Sequence, residues 1–194
     1  MSDDAPETMD VSVLMLAFDE AARSRIQTRM DGIASRGDTS SPAGLLAMLR
    51  DAIAVLRDHA SAWTHGAAEN ASPMPPAEAE ARFVEAAHRA RSRFEVEVIR
   101  NFDGTTTRTA PPKLPDSDAP GRVVVTFVVA ARRELRDAKQ RTRASIEAAL
   151  DDLRAITPEE FVALEVIWSP ADAKDRMSLA AMTERYPELF ELAS

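Results

Sequence analysis

One stretch, Arg122 to Ala131 (RVVVTFVVAA), constrains this chain more than any other: from Val123 onward its only polar side chain is Thr126. Valine dominates it, and β-branched residues suit a pleated strand better than a helix. A strand that is apolar on both faces belongs inside a sheet, covered on both sides. The run is far short of the roughly 20 residues that a membrane-spanning helix needs. Two further segments read as strands: Val11–Ala17 (VSVLMLA), and Val162–Trp168 (VALEVIW), which Ser169-Pro170 stops.

Helical periodicity fills much of the rest. Asp19 and Glu20 open a helix with Ala22, Ile26, Met30 and Ile33 on one side, punctuated by Gly37-Asp38. Ser41-Pro42 supplies a capping hydroxyl before a first-turn proline, and Leu45, Leu49, Ile53 and Leu56 follow on one face, ending near Ala60. Pro76 starts a third helix along Phe83, Ala87, Ala90 and Phe94; residues 95–102 fit either its continuation or a short strand. Arg132 to Arg143 reads as a solvated helix start, Ser145 to Ile156 as a helix, and Leu179 to Tyr186 as a short last one. Residues 67–76 and 103–121 read as surface loops, the second unusually long and proline-rich. The expectation is one α+β domain over 11–194, with a small, mainly three-stranded sheet and four or five helices packed against it, behind a disordered acidic lead at 1–10.

Composition removes whole classes of chemistry. With no cysteine, a disulfide framework, a thiolate zinc site, an iron–sulfur cluster and a cysteine nucleophile are all excluded. The 24 basic residues against 32 acidic ones leave a net charge of −8, which disfavours a dedicated nucleic-acid protein. That charge is uneven. Arg132, Arg133, Arg136, Lys139, Arg141 and Arg143 face only Glu134 and Asp137, a local +4 that could meet an anion. The start, Met1 to Thr8, lacks the features of a signal peptide, so a cytoplasmic location is expected.

Few residues suggest a reaction centre. His59 and His65 are six apart and cannot share a helix face. Glu85 and His88 have a di-iron spacing, but the second Glu-x-x-His that such a site needs is missing. Glu165 lies inside an apolar strand, either as a general acid or base in a dry pocket or as an outward charge guarding a sheet edge. Trp63 and Trp168 read as core or interface anchors, with a ligand platform as the alternative. No nucleophile elbow, phosphate loop or dinucleotide glycine pattern is present, and no cofactor or metal is expected.

Three blocks carry a resemblance. Asp38-Thr39-Ser40-Ser41-Pro42-Ala43-Gly44-Leu45 runs on to Leu56-Arg57-Asp58-His59 and Trp63; Val123-Val124-Val125-Thr126 runs through Ala130-Ala131; Leu164-Glu165-Val166-Ile167-Trp168-Ser169-Pro170 has Tyr186-Pro187-Glu188-Leu189 behind it. In order and spacing they resemble the soluble region of an uncharacterised family, domain of unknown function 1517, found in cyanobacteria, chloroplasts and some other bacteria. The resemblance covers most of residues 11–190 outside the two loops. It implies no enzymatic activity and no catalytic residues to carry over. Plant members look like membrane-associated proteins tied to adjustment of photosynthesis; the expectation for this chain is a soluble domain without the transit peptide, glycine-rich stretch and spanning segment that usually precede it.

The chain therefore reads as a non-catalytic protein-interaction or regulatory module, meeting a protein partner or itself through a strand edge or the Arg-rich segment. Two alternatives stay open: a small-ligand binder or enzyme with a pocket near Glu165 and Trp168, roofed by the 103–121 loop and using Glu165, His65 or His88, and an anion or nucleic-acid binder through 132–143.

Overall fold

A computed structural model describes residues 7–93, 98–102, 105–109, 121–170 and 177–193. The elements run β1 (Asp10–Asp19), α1 (Arg23–Arg36), α2 (Pro42–Asp58), β2 (Trp63–Asn70), α3 (Pro76–Ser92), β3 (Val98–Phe102), β4 (Thr105–Thr109), β5 (Arg122–Ala131), α4 (Arg143–Arg154), β6 (Phe161–Ser169), α5 (Leu179–Arg185) and β7 (Phe190–Glu191). One antiparallel sheet has the order β6-β5-β1-β2-β7, and β3 pairs only with β4 in a separate ribbon.

The class is α+β as expected, and the apolar run at 123–131 forms β5, an interior strand between β1 and β6. Its two faces meet different layers. Val123, Val125, Phe127 and Val129 join Leu14, Leu16 and Phe18 beneath α2 and α4, with Ile26 of α1 alongside. On the opposite face Val128 and Ala130 pack on Ala79, Ala86 and Ala90 of α3, while Val124 meets Met177, Met182 and Tyr186. Every valine of β5 is fully buried. Double coverage is what an all-apolar strand requires.

The sheet has five strands, not three. The strand missed is β2, WTHGAAEN, which takes residues 67–70 from the segment read as a loop. Its residues are poor strand formers. Their small size answers a packing demand: a Cβ on Gly66 would come 3.0 Å from Ile146 of α4. β7 contributes only two residues, too few for periodicity to show. The expected disordered lead also begins to pair before its end: Met9 exchanges backbone hydrogen bonds with Met74 at 2.8 Å each way, and Asp10 is fully buried. Residues 1–6 lie outside the described residues.

Other boundaries shift for local reasons. β1 continues through Asp19, because its ladder with β5 runs to Asp19↔Arg122. Residues 132–142 are an irregular loop rather than a helix start; α4 begins only at Arg143, where Thr142 and Ser145 form a reciprocal cap with two 3.1 Å bonds. Of the ambiguous segment 95–102, residues 98–102 are strand. Thr105–Thr109, inside the expected long loop, is its partner; residues 110–120 lie outside the described residues.

The Asp38–Leu45 block is a helix start. The Asp38 carboxylate accepts from the Ser40 N–H at 2.8 Å and from the Ser40 and Ser41 hydroxyls at 2.6 Å. Ser41 in turn caps α2 by accepting from the Gly44 N–H at 3.1 Å. Gly44 belongs there because a Cβ would sit 2.2 Å from the Asp38 carbonyl oxygen. The two serine hydroxyls and the Ser40 N–H hold the Asp38 carboxyl below its ordinary pKa. A depressed folded-state pKa adds stability that is present above the unfolded value of about 3.9 and fades as pH falls through the folded value. Asp38→Asn should therefore flatten the melting temperature's dependence on pH in this acidic window; an unchanged acid limb would refute the assignment.

Candidate interaction site

The block Leu164–Pro170 lies along β6 and just beyond it. β6 pairs with β5 from Phe161↔Ala131 to Ser169↔Val124, and among the described residues no strand pairs with its other side. Alternation sends its side chains to opposite faces. Leu164 and Trp168 pack toward the α2 core, and Ile167 packs toward α3. Glu165, opposite Val128, also faces α3, where Arg91 forms an ion pair with it. Trp168 lies edge-on to Phe18 at 5.5 Å, and its buried indole N–H has no acceptor among the described residues. Val166 is 43% exposed, one of three large apolar side chains left in solvent among the described residues.

Glu165 and Trp168 thus share a strand but not a face, so they do not line one pocket. The other expected residues lie apart from them. Trp63 is buried; its indole N–H donates to the Leu56 carbonyl at 3.0 Å, and the Arg143 guanidinium covers its ring. His65 stands on β2 between Ala17 and Glu191, its Nδ1 buried without a partner. Burial is the main force lowering its pKa, with Glu191 opposing and Arg122 assisting. Glu85 is taken by Arg82 and Arg89. Among the described residues no cluster of His, Asp and Glu could hold a metal ion.

Arg132 and Arg133 of the Arg-rich segment pair with acids from elsewhere in the chain. Arg132 meets Glu7 at 2.7 Å; Arg133 meets Asp152 at 3.0 Å and Glu160 at 3.4 Å. The Arg136 N–H donates to Asp152 at 2.8 Å while its side chain is exposed. Beneath this loop the buried Asp10 accepts from the Leu135 N–H and from the Asn70 amide, both at 2.8 Å. Asn70 also donates to the Leu135 carbonyl at 2.6 Å. Sequence reasoning passed over Asp10; its one local signal is an acid directly ahead of an apolar run.

A second unforeseen contact ties α3 to the C-terminal segment. Arg93 forms a two-pronged pair with Glu188, one prong at 3.0 Å, and lies 4.7 Å over the Tyr186 ring. Arg185 returns a hydrogen bond to the Arg93 carbonyl. Burial raises the Tyr186 pKa; Ser169 is a polar neighbour of its hydroxyl, but no complete hydrogen bond forms between them. The cavity beside Arg93, Thr126 and Glu188 has a volume of about 10 Å³, room for about one water.

Comparisons with known proteins identify a family. The family described as "Protein of unknown function (DUF1517)" matches residues 8–192. "Protein FLAP1 homolog A" of Synechocystis sp. is 27% identical over 178 residues, covering 87% of this chain and 53% of that protein. "FLUCTUATING-LIGHT-ACCLIMATION protein 1, chloroplastic" of Arabidopsis thaliana is 25% identical over 185 residues, covering 94% and 47% respectively. The chain spans about half the length of these curated relatives. No solved structure matches it. No helix among the described residues is long and apolar enough to cross a membrane.

Proposed function

The chain belongs to the DUF1517 family of proteins of unknown function, and on that premise we propose that it is a non-catalytic docking domain whose binding element is the outer edge of β6. The observation that carries this reading is a nine-residue, almost wholly apolar strand paired on one side only among the described residues. Such an edge offers a row of backbone donors and acceptors to an added strand. The charge that would guard it, Glu165, is engaged by Arg91, and Val166 beside it is exposed. A regulatory role fits the Arabidopsis relative, which is named for acclimation to fluctuating light. With 29% charged residues and a net charge of −8, the chain suits an aqueous compartment, which we take to be the cytoplasm. The pocket alternative is weaker, because its two leading residues point to opposite faces of the sheet.

Val166→Lys tests the reading. Its side chain is exposed, so the melting temperature should hold within a few degrees. Immobilised wild-type chain should retain a defined protein, a second copy included, that Val166→Lys fails to retain. Equal retention by both would refute docking through β6. A metabolite that raises the wild-type melting temperature would instead favour a ligand site.

A further inference from the structure

We propose that the occupant of this edge is β6 of a second copy of the same chain, paired antiparallel with Val166 on the two-fold axis. The inference rests on reading β6 as the docking edge and adds the partner and the register. The edge is closed at both ends. Toward Phe161 the ladder with β5 is irregular, leaving Val162 as the extra residue between Ala130↔Ala163 and Ala131↔Phe161. There the Arg132 guanidinium also takes the carbonyls of Glu159 at 3.2 Å and Phe161 at 3.3 Å. Toward the other end, Pro170 has no N–H to offer, and Arg23 takes its carbonyl at 2.8 Å. What stays regular, and open among the described residues, is Ala163–Ser169, and its middle residue is Val166.

A two-fold axis perpendicular to a sheet pairs residues that share a face, so only registers centred on a residue are allowed. Centred on Glu165, the pairing would set two carboxylates roughly 5 Å apart, which is unfavourable. Centred on Leu164, it would place Val166 against Val162 in the irregular part. Centred on Val166, it sets the two exposed valines against each other, Leu164 against Trp168 of the second copy, and Glu165 against Ile167. Each Glu165 keeps its own Arg91, and the full open length of both edges is used. The result is one continuous antiparallel sheet built from two five-stranded ones.

The chain has no cysteine, so a single introduced thiol reports the register cleanly. Residues directly opposite on antiparallel strands have Cβ atoms about 4.5–5.5 Å apart, near disulfide reach. Under mild oxidation Val166→Cys should form a covalent dimer much faster than Arg136→Cys, whose site is exposed on the loop before α4 and not on β6. Sedimentation of the wild-type chain should give twice the mass of the 21.2 kDa chain. Val166→Lys should weaken that dimer by at least an order of magnitude, since like charges would lie directly opposite. A wild-type chain that stays monomeric at its highest soluble concentration overturns the proposal, as does a dimer that Val166→Lys leaves intact. If the monomer still retains another protein that Val166→Lys loses, the docking edge stands and only self-pairing falls; if nothing is retained, both fall.

Discussion

Asp10→Ala should cost about 2–4 kcal/mol in chemical denaturation, the largest loss expected from any single polar substitution in this chain. The carboxylate is fully buried, and one of its oxygens serves the Leu135 N–H and the Asn70 amide together. Alanine would strip the buried Leu135 and Val11 N–H groups and the half-buried Asn70 amide of this acceptor over a small void, and an unmade buried hydrogen bond costs more than a made one contributes. Asp10→Asn should give an intermediate loss, because the amide oxygen can keep Leu135 and Asn70 but its NH2 group then faces the Val11 N–H, from which the other carboxylate oxygen accepts at 2.7 Å. Hydrogen exchange supplies the spatial check: the Leu135 and Ala138 amides should lose protection first, since Ala138 joins the same loop to Ala68 at 2.9 Å. A loss under about 0.5 kcal/mol, the range of ordinary surface substitutions, would remove Asp10 from this role.

Arg93→Ala is the second. Its side chain is 12% exposed and that of Glu188 is 18% exposed, so the pair is sheltered without being dry. Removing the guanidinium leaves a partly buried carboxylate unpaired and strips the Tyr186 ring of its cation. Fully buried pairs lose about 3–5 kcal/mol when one partner goes; with the residual solvent here, about 2 kcal/mol is expected. A double-mutant cycle separates pairing from packing. Glu188→Gln in the Arg93→Ala background should recover part of the loss, because it removes the stranded charge. Strict additivity of the two substitutions would show that the two-pronged pair contributes no coupling.

What could be read in advance follows a physical divide. β5, β6 and α2 declare themselves because a long buried element must carry its own pattern: β-branched runs for the strands, apolar residues three and four apart behind Ser41-Pro42 for the helix. β2 hides because Gly66 within it makes room for Ile146 of α4 rather than favouring a strand. The polar contacts hide for a different reason. Asp10 meets Leu135, Arg93 meets Glu188 and Arg132 meets Glu7, partners far apart in sequence, and no local spacing encodes such meetings. The same limit explains the Arg-rich loop. A local +4 is a true count, yet two of its charges, Arg132 and Arg133, meet acids that lie on α4, on the turn before β6 and near the N-terminus. At Glu165 both the position inside a strand and the apolar neighbours were visible in the sequence, while Arg91, which engages its charge, was not.

The central strand of the sheet is also the first one in the chain. β1 finds β2 some fifty residues later, but its other flank stays open until β5, more than a hundred residues on. During synthesis, then, the segment VSVLMLAF emerges long before the valine-rich strand that covers one of its edges has been made. Nucleating early from the N-terminus cannot finish this sheet; closure waits on the second half of the chain. Contacts so distant in sequence make for slow folding and a prolonged interval in which a sticky strand is bare. The same order of strands that sets β1 at the centre of the finished sheet leaves it unprotected for longest while the protein is being made.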